Sequence, residues 1–114
     1  MKIDVRCEGV APSERLHTHV QRRLGMALDR FRDQVQWARV WLKDVNGPRG
    51  GADKECLVQL RVKGGSDIIL QEREANAQSA FDRAAARAMQ ALVRQLDRRR
   101  RPDRRRVQLE LLPA

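Results

Sequence analysis

Polar and apolar residues alternate along "KIDVRCE", residues 2–8. Ile3, Val5 and Cys7 point one way, and Lys2, Asp4, Arg6 and Glu8 point the other. A period of two predicts a half-buried strand. From Pro12 the period lengthens: Leu16, Val20, Leu24, Ala27, Leu28 and Phe31 recur at helical spacing and share one side of a helix. Pro12 suits the first turn of that helix, and Ser13 can cap it instead. "QWARVWLKD" returns to alternation, with Ala38, Val40 and Leu42 on the aliphatic face expected to meet the core. "NGPRGGAD" is too rich in turn formers for regular structure and reads as a loop. "KECLVQLRVKG" predicts a third strand with Cys56, Val58, Leu60 and Val62 inward, "GGSD" a hairpin turn, and "IILQERE" a fourth strand. Asn76 then fits as the N-cap of a last helix whose apolar stripe is Phe81, Ala85, Ala88, Leu92 and Leu96. Pro102 is expected to end it.

The order β-α-β-β-β-α predicts a two-layer α+β domain. The first two strands, joined through a helix, should lie parallel. Both helices are apolar on one side only and should cover one face of a four-stranded mixed sheet. Their charged flanks are then expected to become neighbours on one outer surface. Residues 1–101 are expected to form this domain. Residues 102–114 are expected to be a mobile basic tail, with Val107, Leu109 and Leu111 as an alternative short docked strand.

Charge sharpens the picture through its location. The formal net charge is +9, from 24 Lys and Arg against 15 Asp and Glu. Residues 1–12 and 33–75 are neutral, whereas 13–32 carry +3 and 76–106 carry +7. Excess positive charge confined to two helical segments is the electrostatic footprint of a polyanion binder. On the first helix, Arg15, Arg22, Arg23 and Arg30 lie with His19 on a flank beside the apolar face. On the last, Arg83, Arg87, Arg94, Arg98 and Arg101 lie nearly opposite it. Like charges one turn apart destabilise a helix by about 0.2–0.5 kcal/mol per pair. Solvated helix faces ordinarily mix signs, but the acids of the last helix, Asp82 and Asp97, lie off the arginine stripe. These nine arginines are therefore the candidate RNA-contacting residues, through phosphate contacts that release counterions.

Other features carry less. Trp37 and Trp41 share the second face of their strand with Arg39 and Lys43. Such a face can stack bases, but it more often packs under an edge or a tail. "DVNG" resembles the opening of a calcium loop, but its glycine is the fourth residue where the sixth is needed. His17 and His19 project to different sides of a helix and cannot chelate one ion together. Cys7 and Cys56 read as small buried hydrophobes rather than a disulfide framework. No nucleophile–base pair, phosphate-cradling glycine loop or buried carboxylate pair is recognisable, so neither an enzyme nor a cofactor is expected. The absence of an apolar run long enough to span a membrane, and of a signal-like start in "MKIDVRCEG", leads to the expectation of a cytoplasmic protein.

"HVQRRLGMALDRF", "LVQLRVKGGSDIIL" and "NAQSAFDRAAARAMQALVRQLDR", in this order, resemble the short ribosome hibernation-promoting factors, also known as ribosome-associated inhibitors or sigma-54 modulation proteins. The resemblance spans about residues 2–101. It implies a double-stranded-RNA-binding-like fold and a seat in the decoding channel of the small ribosomal subunit, contacting ribosomal RNA. The implied role is to silence and protect idle ribosomes. Arg23, Arg87, Arg94 and Arg98 stand where members usually carry basic residues. Gln90 and Met26 replace frequent basic residues, and Arg83 is basic where members often are not. The chain is expected to be a monomer when free, without a membrane or small-molecule partner. The alternatives are a general RNA or DNA binder without a ribosomal role, and a protein-interaction module using the tryptophan face.

Overall fold

A computed structural model describes residues 2–9, 13–45 and 53–111, with side chains as far as residue 99. Strand β1 (Lys2–Glu8) leads into helix α1 (Glu14–Leu28), whose last turn tightens into a 3-10 segment, Asp29–Phe31. Strands β2 (Val35–Asp44), β3 (Lys54–Val62) and β4 (Ile68–Glu74) follow, and helix α2 (Ala77–Leu111) closes the chain. The four strands stand in the order β1-β2-β3-β4. β1 pairs with β2 in parallel, while β2–β3 and β3–β4 are antiparallel. The sheet is therefore mixed and the domain α+β, as the alternation of periods implies.

The ends of the helices follow local chemistry. Ser13, rather than the proline before it, caps α1: its hydroxyl accepts from the Leu16 amide at 3.2 Å. The Asn76 side-chain oxygen accepts from the Ser79 amide at 2.7 Å, so α2 begins where the asparagine predicts. Each bond satisfies an amide that has no partner within its helix.

One face of the sheet is closed by the two helices. Val20, Leu24 and Leu28 of α1 meet Ala38, Val40 and Leu42 of β2, Cys56, Val58 and Leu60 of β3, and Phe81, Ala84, Ala88 and Leu92 of α2 in one buried cluster. Alanines at 80, 84, 85 and 88 let α2 lie close to the strands, and Phe81 is the largest side chain buried in full. Farther along α2, Gln95 Nε2 donates to the Ser66 carbonyl and Arg99 to the Lys63 carbonyl, each at 2.9 Å. The turn between β3 and β4 needs its glycines here. Gly64 takes a positive φ of 67°, and a Cβ on Gly65 would sit 2.2 Å from Gln95 Oε1.

Two expectations are corrected. Pro102 does not end α2, whose backbone stays helical to Leu111, so neither a docked strand nor a stop at residue 101 is formed. A proline ring forfeits one hydrogen bond, but both flanking segments can keep their own. Cys7 is exposed, in contrast to the buried Cys56. It lies at the end of an edge strand beside Ser13, Leu16 and His17, where the first turn of α1 leaves a hollow. Val35, outside the apolar faces read from the sequence, is buried. The glycine-rich loop, residues 46–52, lies outside the described residues. At its far margin Asp53 is buried, and Lys54 Nζ bridges it to Asp44 at 3.4 and 3.1 Å.

Truncating Phe81→Ala is expected to cost about 3–5 kcal/mol, by transfer loss plus the cavity left. Removing the cap in Asn76→Ala is expected to cost about 1 kcal/mol. Urea unfolding followed by circular dichroism separates the two; equal small losses would mean that Phe81 is not the centre of the core.

Candidate nucleic-acid interface

Helix α2 packs on β3 and β4, and α1 on β1. One flank of α2 consequently meets α1 and the other overhangs the β4 edge. Consecutive helical residues point about 100° apart, and Asp82 and Arg83 divide between these two sides. Asp82 Oδ1 faces α1, 2.7 Å from His19 Nε2 and 3.6 Å from Arg23 Nε. Arg83 reaches the other way, to Glu74 of β4 at 2.5 Å. Arg87, one turn on, pairs with Glu72. Arg94 and Arg98 continue that row within roughly 60° of it on the helical wheel.

The eight candidates whose side chains are described therefore form two basic tracks rather than the one surface expected from the sequence. Arg23 and Arg30 follow the flank of α1 that meets Asp82 of α2, and Arg15 and Arg22 lie on its outer side, about 60–100° round the helix. Arg83, Arg87, Arg94 and Arg98 follow the far flank of α2. Its outer ridge, Ala86, Gln90 and Val93, runs between the tracks. All eight arginines are exposed. The Arg101 side chain lies outside the described residues.

The tracks differ residue by residue in how their charge is held. Arg15, Arg22, Arg94 and Arg98 have no carboxylate partner among the described residues. The Arg30 guanidinium lies 4.9 Å over the Phe31 ring, a cation–π contact that fixes it without cancelling its charge. Arg23 shares Asp82 with His19, whose ring also meets Phe81 edge-on at 5.7 Å and 79°. Arg83 and Arg87 are paired from outside their own helix. The Arg83 guanidinium is pushed above its ordinary pKa by its hydrogen bond to Glu74 and then by the charges of Glu74 and Glu72.

Those two glutamates escaped the sequence reading, which sought acids on α2 alone. The signal was present. In "IILQERE", Glu72 and Glu74 share parity with Ile68 and Leu70, so they stand on the helix-covered face of β4. A carboxylate at the margin of that face needs a partner, and the overhanging arginines of α2 supply it.

The opposite face of the sheet carries both tryptophans, each half-buried. Arg39 stacks 4.4 Å over Trp37. Trp41 stands in register with Arg6 on one side and Leu57 on the other. The arginines around them are mostly paired: Arg6 with Asp4 at 3.2 Å, Arg61 with Asp67 at 3.3 Å and Arg73 with Glu55 at 3.0 Å. Three of its arginines are thus held by carboxylates, which makes this face a poorer phosphate surface than the helix tracks.

No group of three metal-ligating side chains is found among the described residues. Burial pushes the Cys56 thiol up to about 12, so it is protonated at neutral pH and unreactive. Among the described residues no helix is long and apolar enough to cross a membrane.

A family model described as sigma 54 modulation protein / S30EA ribosomal protein matches residues 3–100. The fold is similar to the crystal structure of the Thermus thermophilus Protein Y N-terminal domain, with a TM-score of 0.68 and 22% identity over 82% of this chain and 98% of that one. It is also similar to a ribosomal subunit interface protein from Coxiella burnetii, with a TM-score of 0.65 and 18% identity over 82% and 96% of the two chains. No curated protein matches the chain.

Replacing Glu72 and Glu74 together by Gln should free Arg87 and Arg83. Binding to inorganic polyphosphate is expected to tighten, and its logarithmic salt slope to steepen by up to about 0.7–0.9 for each freed arginine that contacts a phosphate. Fluorescence competition across a salt series measures this; an unchanged slope would place both arginines outside the anion contact.

Proposed function

Because the chain belongs to the sigma 54 modulation protein / S30EA ribosomal protein family, we propose that it is a ribosome-hibernation factor. It occupies the decoding channel of the small ribosomal subunit and blocks translation by occlusion. Its role is non-catalytic and cytoplasmic, and its ligand is ribosomal RNA. The observation that carries this reading is the pair of arginine tracks. Four of these arginines, Arg15, Arg22, Arg94 and Arg98, have no carboxylate partner among the described residues.

The separation of the tracks favours a channel over a flat duplex. A helix with its side chains is roughly 10 Å across, so the ridge of α2 holds the two rows apart. A single groove would engage one row well and the other poorly. RNA walls on two sides engage both. Phosphate contacts fix orientation without reading sequence, so selectivity rests on the shape of the space between those walls.

A general RNA or DNA binder would use the same arginines but would not require two-sided walls. Competition distinguishes the readings: the channel reading expects small subunits to win over an equal mass of duplex RNA. Binding through the tryptophan face would instead show a shallower salt dependence, because Arg6, Arg61 and Arg73 there are already paired with carboxylates.

In extract from stationary-phase cells run on a sucrose gradient, the protein is expected to travel with small subunits or whole ribosomes. Charge reversal at Arg22, Arg94 and Arg98 together should release it to the top fractions while leaving its melting temperature unchanged or raised. A wild-type protein that remains at the top among free proteins would end the ribosomal reading. Loss of stability in the triple variant would mean that these arginines support the fold.

A further inference from the structure

Met26 lies on the solvent side of α1 and is 74% exposed, more than any other large hydrophobic among the described residues. It stands one turn from both Arg22 and Arg30, inside the α1 basic track. A shallow hollow opens there, lined by His19, Arg22, Arg23, Met26 and Ala27. Three of these five side chains are basic or can become so, yet Met26 and Ala27 give the hollow an aliphatic patch.

The parts of the hollow are held to different degrees. His19 is fixed by its bond to Asp82 at 2.7 Å and its edge contact with Phe81. Arg23 is steadied by Asp82 at 3.6 Å. Asp82 is therefore engaged twice and is screened by both partners. Asp29, just past α1, pairs with Arg32 at 3.2 Å, and Glu14 in the first turn lines an adjoining hollow with Arg15, His19 and Arg22 without an ion pair to them among the described residues. Arg22 has no carboxylate partner among the described residues and is free to meet an anion.

A ligand made only of phosphate would use Arg22 and Arg23 and gain nothing from an exposed thioether. A nucleotide supplies both complements: a phosphate for the guanidinium groups, and a flat, weakly polar base for the methionine. Methionine is flexible and polarizable, and sulfur–ring contacts are favourable. RNA-binding surfaces ordinarily stack unpaired bases on aromatic rings or arginine planes, and apolar side chains also sandwich a base turned out of its helix.

We propose that the hollow between His19 and Met26 is a seat for one unpaired nucleotide, with the base on Met26 and Ala27 and the phosphate on Arg22 and Arg23. The proposal rests on the reading of the protein as an RNA binder, and it adds a contact that does not depend on salt.

The test follows a fluorescein-labelled oligouridylate of twelve nucleotides by anisotropy across a potassium chloride series, with inorganic polyphosphate as the base-free probe. Met26→Ala is expected to weaken oligouridylate binding about three- to tenfold, a loss of partial apolar burial, with the salt slope and polyphosphate binding unchanged. Arg22→Ala should weaken both probes and flatten the slope by about 0.7. Met26→Lys should gain on polyphosphate and steepen the slope by about the same amount. Because Met26 is exposed, each variant is expected to melt as the wild type does. Met26→Ala binding oligouridylate like the wild type, or losing equally on both probes, would overturn the seat while leaving the RNA-binding reading intact. Wild-type protein that binds neither probe nor ribosomal subunits would overturn that reading, and the seat with it.

Discussion

The width of the sheet governs where every arginine can go. Four strands at about 4.8 Å spacing offer a floor close to 20 Å across, which accommodates two helices of roughly 10 Å lying side by side. Each helix then has one side on the core, one flank against its neighbour and one flank free. For α2 the inner side is Phe81, Ala84, Ala88 and Leu92, the shared flank holds Asp82, and the free flank overhangs β4. Arginines on α2 can occupy that free flank or the outer ridge. They follow the flank, and so they meet the last carboxylates of β4.

Most of this fold was legible because each element has a period of its own. Two-residue alternation marks all four strands, and the three-to-four-residue recurrence marks both helices. Ser13 and Asn76 cap where their chemistry allows. What was not legible depends on how elements meet. Cys7 obeys the alternation of β1, but it lies at the end of an edge strand, where the first turn of α1 leaves a hollow rather than a cover. Pro102 is a strong stop signal in isolation, yet a helix already anchored through Gln95 and Arg99 can continue past it. Similarly, the two arginine stripes were visible as stripes, but their placement on separate tracks follows from the lateral position of α2 over β3 and β4.

The same dependence explains the glutamates. A search for counter-charges along α2 finds Asp82 and Asp97 and misses Glu72 and Glu74, which belong to another element. Surface ion pairs of this kind contribute little to stability, commonly about 0.2–1 kcal/mol, and weaken with salt. Their consequence here is geometric. A guanidinium group has five donors in a planar fork, and one carboxylate leaves several of them unused. Arg83 and Arg87 are thus held pointing over the β4 edge without being saturated.

A graded arrangement results along the free flank of α2. Its first two arginines are oriented by β4, while Arg94 and Arg98 lie past the end of that support and keep their full charge among the described residues. Unpaired arginines contribute most to long-range attraction, because no nearby carboxylate reduces their field. Held arginines lose less side-chain freedom when they bind, because part of it is already gone in the free protein. On the proposed reading, in which the protein enters a ribosomal channel and stays there, both kinds contribute. On α1 the same division recurs, with Arg15 and Arg22 unpaired and Arg23 and Arg30 held by Asp82 and Phe31. The same division thus recurs on two helices with different partners, which is the arrangement the proposed RNA-binding role calls for.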